Sequence, residues 1–321
     1  MRCTAAYRSE VCYRRGVSTL LFETIHGSRA YGLAREGSDI DRKGVYVGAR
    51  REYFGFRGGP EQIEHSADHV WFELRKAMRL ACANNPTILE LMWTAEEDRH
   101  VAHPSGRKLL DARERFLSKR VAETFGSYAL SQLGRIERHR RWLLEPPKAQ
   151  PTRADFGLPE RTVIPKDQLG AAESLIAKGR LDEAELTPSF LAILDRERRY
   201  RSAMKQWQQY QGWLKNRNPV RAALESKHGY DTKHAMHLVR LTRMAVEILD
   251  EGVLHMRRTR DRDELLAVRD GAWSYDGLIE HVHVERARIA EAKARSRLPD
   301  APDEEALDAL CDELVAEVLG C

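Results

Sequence analysis

The chain has 321 residues, with 53 Lys+Arg against 49 Asp+Glu and a formal net charge of +4. That length admits two domains, or one domain with a large extension, and the near-balanced charge argues against a partner held by bulk electrostatics alone, leaving room only for a local basic groove. The odd, scattered cysteines (Cys3, Cys12, Cys82, Cys311, Cys321) contain no C-x-x-C pair, which argues against a disulfide framework or zinc ribbon and suits a reducing cytosol.

The N-terminus "MRCTAAYRSEVCYRRG" carries charge where a signal peptide needs its apolar run. No stretch approaches the roughly 18 apolar residues of a membrane span, so a soluble, cytoplasmic chain with no membrane partner is expected. Residues 17–26, "VSTLLFETIH", read as a buried strand that stops at the Gly27-Ser28 turn. "SRAYGLA" starts a helix near Ser28, "REGS" turns the chain, and "DIDRKGVYVG" alternates as a second strand. Residues 61–74 form a third strand region passing into a helix, "FELRKAMRLACAN", that ends before Asn85-Pro86 because the residue before proline avoids helical geometry.

Pro86 then opens "PTILELMW" in the favourable first turn. Beyond it, amphipathic spacing predicts helices over 116–144, 168–179, 189–216, 231–251, 275–295 and 303–319. Five of the 12 prolines crowd between Pro146 and Pro165, so residues 145–166 read as a loop or insertion. The expected fold is α+β, with a small mixed-sheet head over residues 1–115 and a helical domain over 116–321.

The chemistry concentrates in "IHGSRAYGLAREGSDIDRKGVYV", residues 25–47. Strand alternation would project Asp39 and Asp41 to one side, with Ile40 turned into the core between them. Two adjacent carboxylates repel unless a cation lies between them, and Mg²⁺ takes one or two protein carboxylates plus substrate phosphates. D-x-D alone is common, and a hairpin edge with two chance acids is the plainer reading. Gly27-Ser28, ten residues upstream, shifts the balance: Gly27 lets backbone approach a ligand, and Ser28 at a helix start offers its hydroxyl and N–H groups to an anion.

Gly-Ser, the gap, D-x-D and the strand–turn–helix–strand setting together resemble the signature of the DNA polymerase beta nucleotidyltransferase superfamily. "GSRAYG", "SDIDRKGVYV", "ELRKAMRLACANNPTILELMW", "YDTKHAMHLVRL" and "LPDAPDE" resemble its RNA-ligase-associated branch, over roughly residues 20–305. The resemblance implies a polymerase-beta-like head in which Gly27 and Ser28 hold the triphosphate of an NTP substrate while Asp39 and Asp41 bind two Mg²⁺ ions, with Mn²⁺ as a substitute. It also implies a third carboxylate on the following strand, for which Asp68, opening the apolar run "DHVWFEL", is the first choice and Glu64 the second; Glu73 reads as a helix-surface residue. The family name further implies RNA end repair, with an RNA acceptor and an RNA ligase pathway partner.

A second constellation lies in "GYDTKHAMHLVRL", residues 229–241. On a helix Lys233, His237 and Arg240 share a face, with Asp231 as N-cap. Lys233 and His237 are expected to contact the substrate phosphates; a plain basic surface and a His234/His237 metal pair are the rivals. Asn84, Asn85 and Glu90 are read as structural. In the helix over 195–217 the aromatics read as core, Trp207, Tyr210 and Leu214 forming a packed stripe, while Arg196, Arg198, Arg199 and Arg201 are candidates to line a groove; "MRRTRDRDE" at 256–264 reads as a charged turn.

These expectations converge on a Mg²⁺-dependent nucleotidyltransferase moving NMP from NTP to an acceptor hydroxyl at an RNA end by two-metal in-line displacement. Two alternatives keep the same fold: AMP transfer to a protein, as in small antitoxin-like members of the superfamily, and a catalytically silent RNA- or nucleotide-binding module.

Overall fold

The computed structural model describes residues 18–162, 164, 170, 174 and 187–320. Cys3, Cys12, Cys321 and all but two positions of the helix expected over 168–179 lie outside the described residues. The chain divides into two compact units, residues 1–136 with 232–321 and residues 137–231. The expected domains 1–115 and 116–321 follow element type, whereas these units group 116–136 and 232–321 with the sheet.

The first unit holds a mixed five-stranded sheet in the order β3-β4-β2-β1-β5. Its strands are β1 (Thr19–His26), β2 (Asp41–Val47), β3 (Gln62–Ser66), β4 (His69–Glu73) and β5 (Arg99–Val101). β2 runs parallel to β4, and the remaining pairs are antiparallel. The apolar run of β1 buries Leu21 and Phe22, and β2 buries Val45, Tyr46 and Val47, so the middle of the sheet is covered on both faces. A one-turn helix, α1 (Gly27–Ala30), follows β1, and a short helix, α2 (Arg50–Phe54), follows β2.

The expected third strand region is a hairpin whose second strand enters α3 (Leu74–Cys82). Glu73, expected on a helix surface, is buried at its N-cap. Its carboxylate accepts from Lys76 N at 3.2 Å and from the Tyr53 hydroxyl at 2.5 Å, satisfying a helix donor that would otherwise lack a partner.

α4 (Pro86–Met92) begins as expected, with the Asn85 side chain accepting from Thr87 N and Ile88 N. Asn84 sits at φ +53, and its fully buried side chain donates to Ala81 O and Phe116 O while its oxygen accepts from Ser118 N and Oγ. Asparagine suits this junction because it tolerates left-handed backbone and carries both donors and an acceptor. α5 (Pro104–Asp111) and α6 (Val121–Leu144) follow.

The C-terminal part of the first unit contains α9 (Thr232–Glu251), α10 (Arg262–Arg269), α11 (Tyr275–Arg295) and α12 (Glu304–Leu319). α9 is buried along most of its length, which supplies the core that its amphipathic spacing predicts. The segment 256–264, read as a charged turn, instead buries Arg258 between Glu247 (2.6 and 2.7 Å) and Asp261 (3.0 and 2.9 Å), and α10 starts within it. A guanidinium so buried persists because its donors meet carboxylates.

In the second unit, α7 (Pro188–Lys215) and α8 (Pro219–His228) follow the proline-rich loop. Trp142 and Tyr210 are buried and gather with Trp213, ring centroids 5.5–5.9 Å apart, so these aromatics serve the core. Leu214 departs from the expected stripe at 43% exposure. Arg196, Arg198, Arg199 and Arg201 are exposed, with Arg199 paired to Asp195 at 2.7 Å.

Replacing Asn84 by alanine removes four hydrogen bonds and leaves their buried partners unmatched, so a loss of about 3 kcal/mol in urea unfolding is expected. Asn84→Gly relieves the backbone cost alone and should recover only about 1 kcal/mol of that loss.

Candidate functional site

Register fixes which side chains share a face. Asp41 pairs with His26 across β1, Lys43 pairs with Thr24 and with Val70 of β4, and Arg42 pairs with His69. Asp68 immediately precedes β4, and its carbonyl accepts from Arg42 N at 2.7 Å, extending the parallel register by one step. Asp68 therefore falls opposite Asp41, at the same edge of the sheet.

The expected strand alternation does not hold for Asp39. β2 begins at Asp41, so Asp39 and Ile40 lie in the approach to the strand, and Ile40 is 49% exposed instead of core. The cause is the turn at Gly37 (φ +76) and the hold of Arg29, which donates to Ser38 O at 2.9 Å and Asp39 O at 3.4 Å. Asp39 still reaches Asp41 electrostatically. Burial raises the Asp41 carboxyl above its usual range, and the neighbouring charges of Asp68 and Asp39 add to that rise, while Lys43 and Lys233 oppose it.

Gly27 is required for two separate reasons. Its φ of +68 is left-handed, and a Cβ there would meet the Asp41 carboxylate, coming 2.9 Å from Cγ. Backbone and acid thus press together where the one-turn helix begins. Ser28 anchors that turn through its carbonyl, which accepts from Leu33 N at 2.8 Å.

Glu64 lies on β3, exposed and bonded to Gln62. Asp68, the first choice from sequence, lies opposite Asp41 and its charge raises the Asp41 carboxyl. The oxygens of Asp39, Asp41 and Asp68 do not converge within 4.8 Å of one another.

Beneath the acids lies a buried polar network that the sequence reading took only as far as a structural role for Glu90. Glu90 accepts from Arg240 Nη1 at 2.5 Å and from the Tyr31 hydroxyl at 2.6 Å. Arg240, 4% exposed, also lies over the Tyr31 ring at 3.7 Å, so it faces inward and not toward substrate phosphates. Burial pushes the Glu90 carboxyl up, but the Arg240 charge and the hydrogen bonds from Arg240 and Tyr31 hold it below its usual range. His26 Nε2 lies 3.7 Å from Glu90 without a hydrogen bond. Desolvation, with Lys43 next, lowers the His26 pKa to about 3, so this approach is not an ion pair.

Lys233 and His237 are half-buried, one helical turn apart on α9, and Lys233 acts on Asp41. α9 begins directly after Asp231, the expected cap. His234 is buried, with Nε2 3.4 Å from Arg135 Nη1, and does not join His237 in a three-ligand cluster. Among the described residues such a cluster forms from His139, Glu225 and Asp231 in the second unit, where Glu225 also receives Arg217 at 2.6 and 2.9 Å.

The opposite face of the sheet carries a feature sequence reasoning missed. Glu23 is 4% exposed, hydrogen-bonded to His69 Nε2 at 2.6 Å and accepting from Trp71 Nε1 at 2.7 Å, with Arg42 at 3.4 Å. The signal was the shared parity of Glu23, Arg42, His69 and Trp71 once the strands are paired.

Breaking the buried pair by Glu90→Gln or Arg240→Met should cost about 3–5 kcal/mol in urea unfolding, since each leaves a polar partner stranded. The double variant should cost less than the sum by about 1–3 kcal/mol. For His26 the unfolded chain takes up a proton below pH 6.5 while the folded chain does not until about 3, so stability is full above 6.5 and falls by about 1.4 kcal/mol per pH unit beneath it. His26→Asn should flatten that slope between pH 6.5 and 4.5.

Residues 6–143 match the family model RlaP, described as RNA repair pathway DNA polymerase beta family. Neither the curated proteins nor the solved structures give a significant match. The segments 229–241 and 298–304, which also carried the resemblance, fall outside the matched residues. No helix among the described residues is long and apolar enough to cross a membrane. The matched residues take in the whole sheet, Gly27, Ser28 and the three acids, so the sheet-bearing part of the chain is similar to the RNA repair pathway DNA polymerase beta family.

Proposed function

We propose that the protein is a divalent-metal-dependent nucleotidyltransferase that moves NMP from NTP to a hydroxyl at an RNA end. The observation that carries this reading is the gathering of Asp39, Asp41 and Asp68 at one edge of the parallel β2–β4 pair, against the Gly27 turn. The donor set fits Mg²⁺: burial and the neighbouring charges of Asp68 and Asp39 raise the Asp41 carboxyl, and a hard cation among the three carboxylates would relieve that cost. Asp39, Asp41 and Asp68 would hold it, and Mn²⁺ would serve as a substitute.

The chemistry that bound divalent ions supply is activation of the acceptor hydroxyl and neutralisation of the departing pyrophosphate. The protein's own part is positioning. Gly27 and Ser28 present backbone N–H groups and a hydroxyl to the triphosphate, and Lys233 and His237 contribute cationic or donor contacts from the α9 face. Lys43, half-buried on the same sheet face as Asp41, offsets the acid cluster from below.

Incubation with each labelled NTP, Mg²⁺ and a pool of RNA ends tests the reading. Wild-type protein should label RNA, EDTA should stop the reaction, and Asp39→Ala/Asp41→Ala should reduce label to background while unfolding at the same temperature within about 2 °C. Equal labelling by both proteins, or none with any NTP, would contradict the proposal; label on protein would select AMP transfer to a protein acceptor.

A further inference from the structure

The segment between β2 and β3, "RREYFGFRGG" at residues 50–59, presents two phenylalanines to solvent: Phe54 is 69% exposed and Phe56 is 95% exposed. A phenylalanine so exposed forgoes the stabilisation of burial, about 1.5–3 kcal/mol for such a side chain, and marks an interaction surface when it stands with others. Arg50 lies over the Phe54 ring at 5.0 Å and Arg57 over the Phe56 ring at 5.4 Å. Among the described residues, Arg50, Arg51 and Arg57 are paired with no carboxylate.

The presentation is built and not merely unfolded outward. Tyr53, the aromatic between Arg51 and Phe54 that can bury, turns inward: its hydroxyl donates to Glu73 at 2.5 Å and Arg75 lies 4.2 Å over its ring. Glu52, the acid of the segment, is also withdrawn, accepting from Ala49 N at 3.1 Å and packing against Gly48 and Gly59. Pro60 O accepts from the Tyr46 hydroxyl at 2.6 Å, closing the base of the loop. With the acid turned away, the outer side offers two aromatic rings interleaved with three guanidinium groups.

We infer that residues 50–57 form a docking platform for single-stranded RNA, with Phe54 and Phe56 stacking on bases and Arg50, Arg51 and Arg57 meeting phosphates. The chemistry is that of sequence-tolerant single-strand binders, in which π-faces accept any base and cations follow the backbone. The segment follows the end of β2 away from Asp41, roughly 20 Å along the strand. It would therefore hold the acceptor some nucleotides from its reacting end. This rests on the reading of RNA as acceptor.

Fluorescence anisotropy with a labelled single-stranded RNA of mixed sequence tests the platform. Phe54→Ala/Phe56→Ala should weaken binding about tenfold for each ring removed, Phe54→Trp/Phe56→Trp should retain it, and Arg50→Gln/Arg57→Gln should lower the salt slope by about 0.7 per lost phosphate contact. Binding by the alanine variant within about twofold of wild type, failure of the tryptophan variant to retain binding, or no RNA binding by wild type would overturn the inference; loss of a protein contact with RNA binding intact would mark a protein-docking loop instead. Mg²⁺–NTP binding should be unchanged in the alanine variant. RNA docking without label transfer would leave the platform standing and sink the transferase reading, whereas equal transfer by wild type and alanine variant at subsaturating RNA would do the reverse.

Discussion

The ion pair between Glu90 and Arg240 links residues 150 positions apart in the chain. It joins α4 to α9, and through the Tyr31 hydroxyl it reaches the turn after α1, with His26 at the end of β1 lying 3.7 Å from Glu90. Both partners are almost fully buried, so their desolvation must be recovered inside the protein. Arg240 recovers it from one carboxylate, one ring face and the Met244 sulfur at 3.0 Å. The consequence is geometric: with Arg240 locked, Lys233 on the same helix is held where its charge reaches Asp41.

Above that strut the constraint changes from pairing to repulsion. Asp39, Asp41 and Asp68 come from a loop, a strand start and a hairpin turn, three pieces of backbone joined by the β1–β2–β4 pairings. Gly27 allows Asp41 to lie against the backbone of the α1 turn, a contact that any side chain would prevent. Sheet register, the glycine and the buried pair thus serve one end: they hold acids near one another at an edge open to a ligand.

Much of this was legible from local sequence, because it depends on short-range rules. The strand that stops at Gly27, the second strand, the Asn85-Pro86 helix start and the long amphipathic helices follow from periodicity and capping, and their placement agrees with those rules. What was missed required knowledge of what lies across the sheet. Ile40 was assigned to the core by an alternation that begins one residue later, at Asp41. Glu73 looked like a helix-surface acid because a buried N-cap and an exposed first turn read alike, and Arg258 looked like a turn residue because Glu247 comes from another helix. Arg240 shared a face with Lys233 and His237 in projection, but its length takes the guanidinium down to Glu90. Asp68 was favoured only for opening an apolar run; the parallel pairing that brings it opposite Asp41 depends on strand order, which local pattern does not contain.

The central claim is that the acids at the β2–β4 edge hold a divalent cation together with a nucleotide. Calorimetric titration of a non-hydrolysable NTP into wild type and Asp41→Asn, each with Mg²⁺ and with EDTA, tests it most directly. The account predicts Mg²⁺-dependent binding by wild type that weakens at least about tenfold, or 1.4 kcal/mol, in the variant. Equal affinity in the two proteins, or binding indifferent to Mg²⁺, would contradict it.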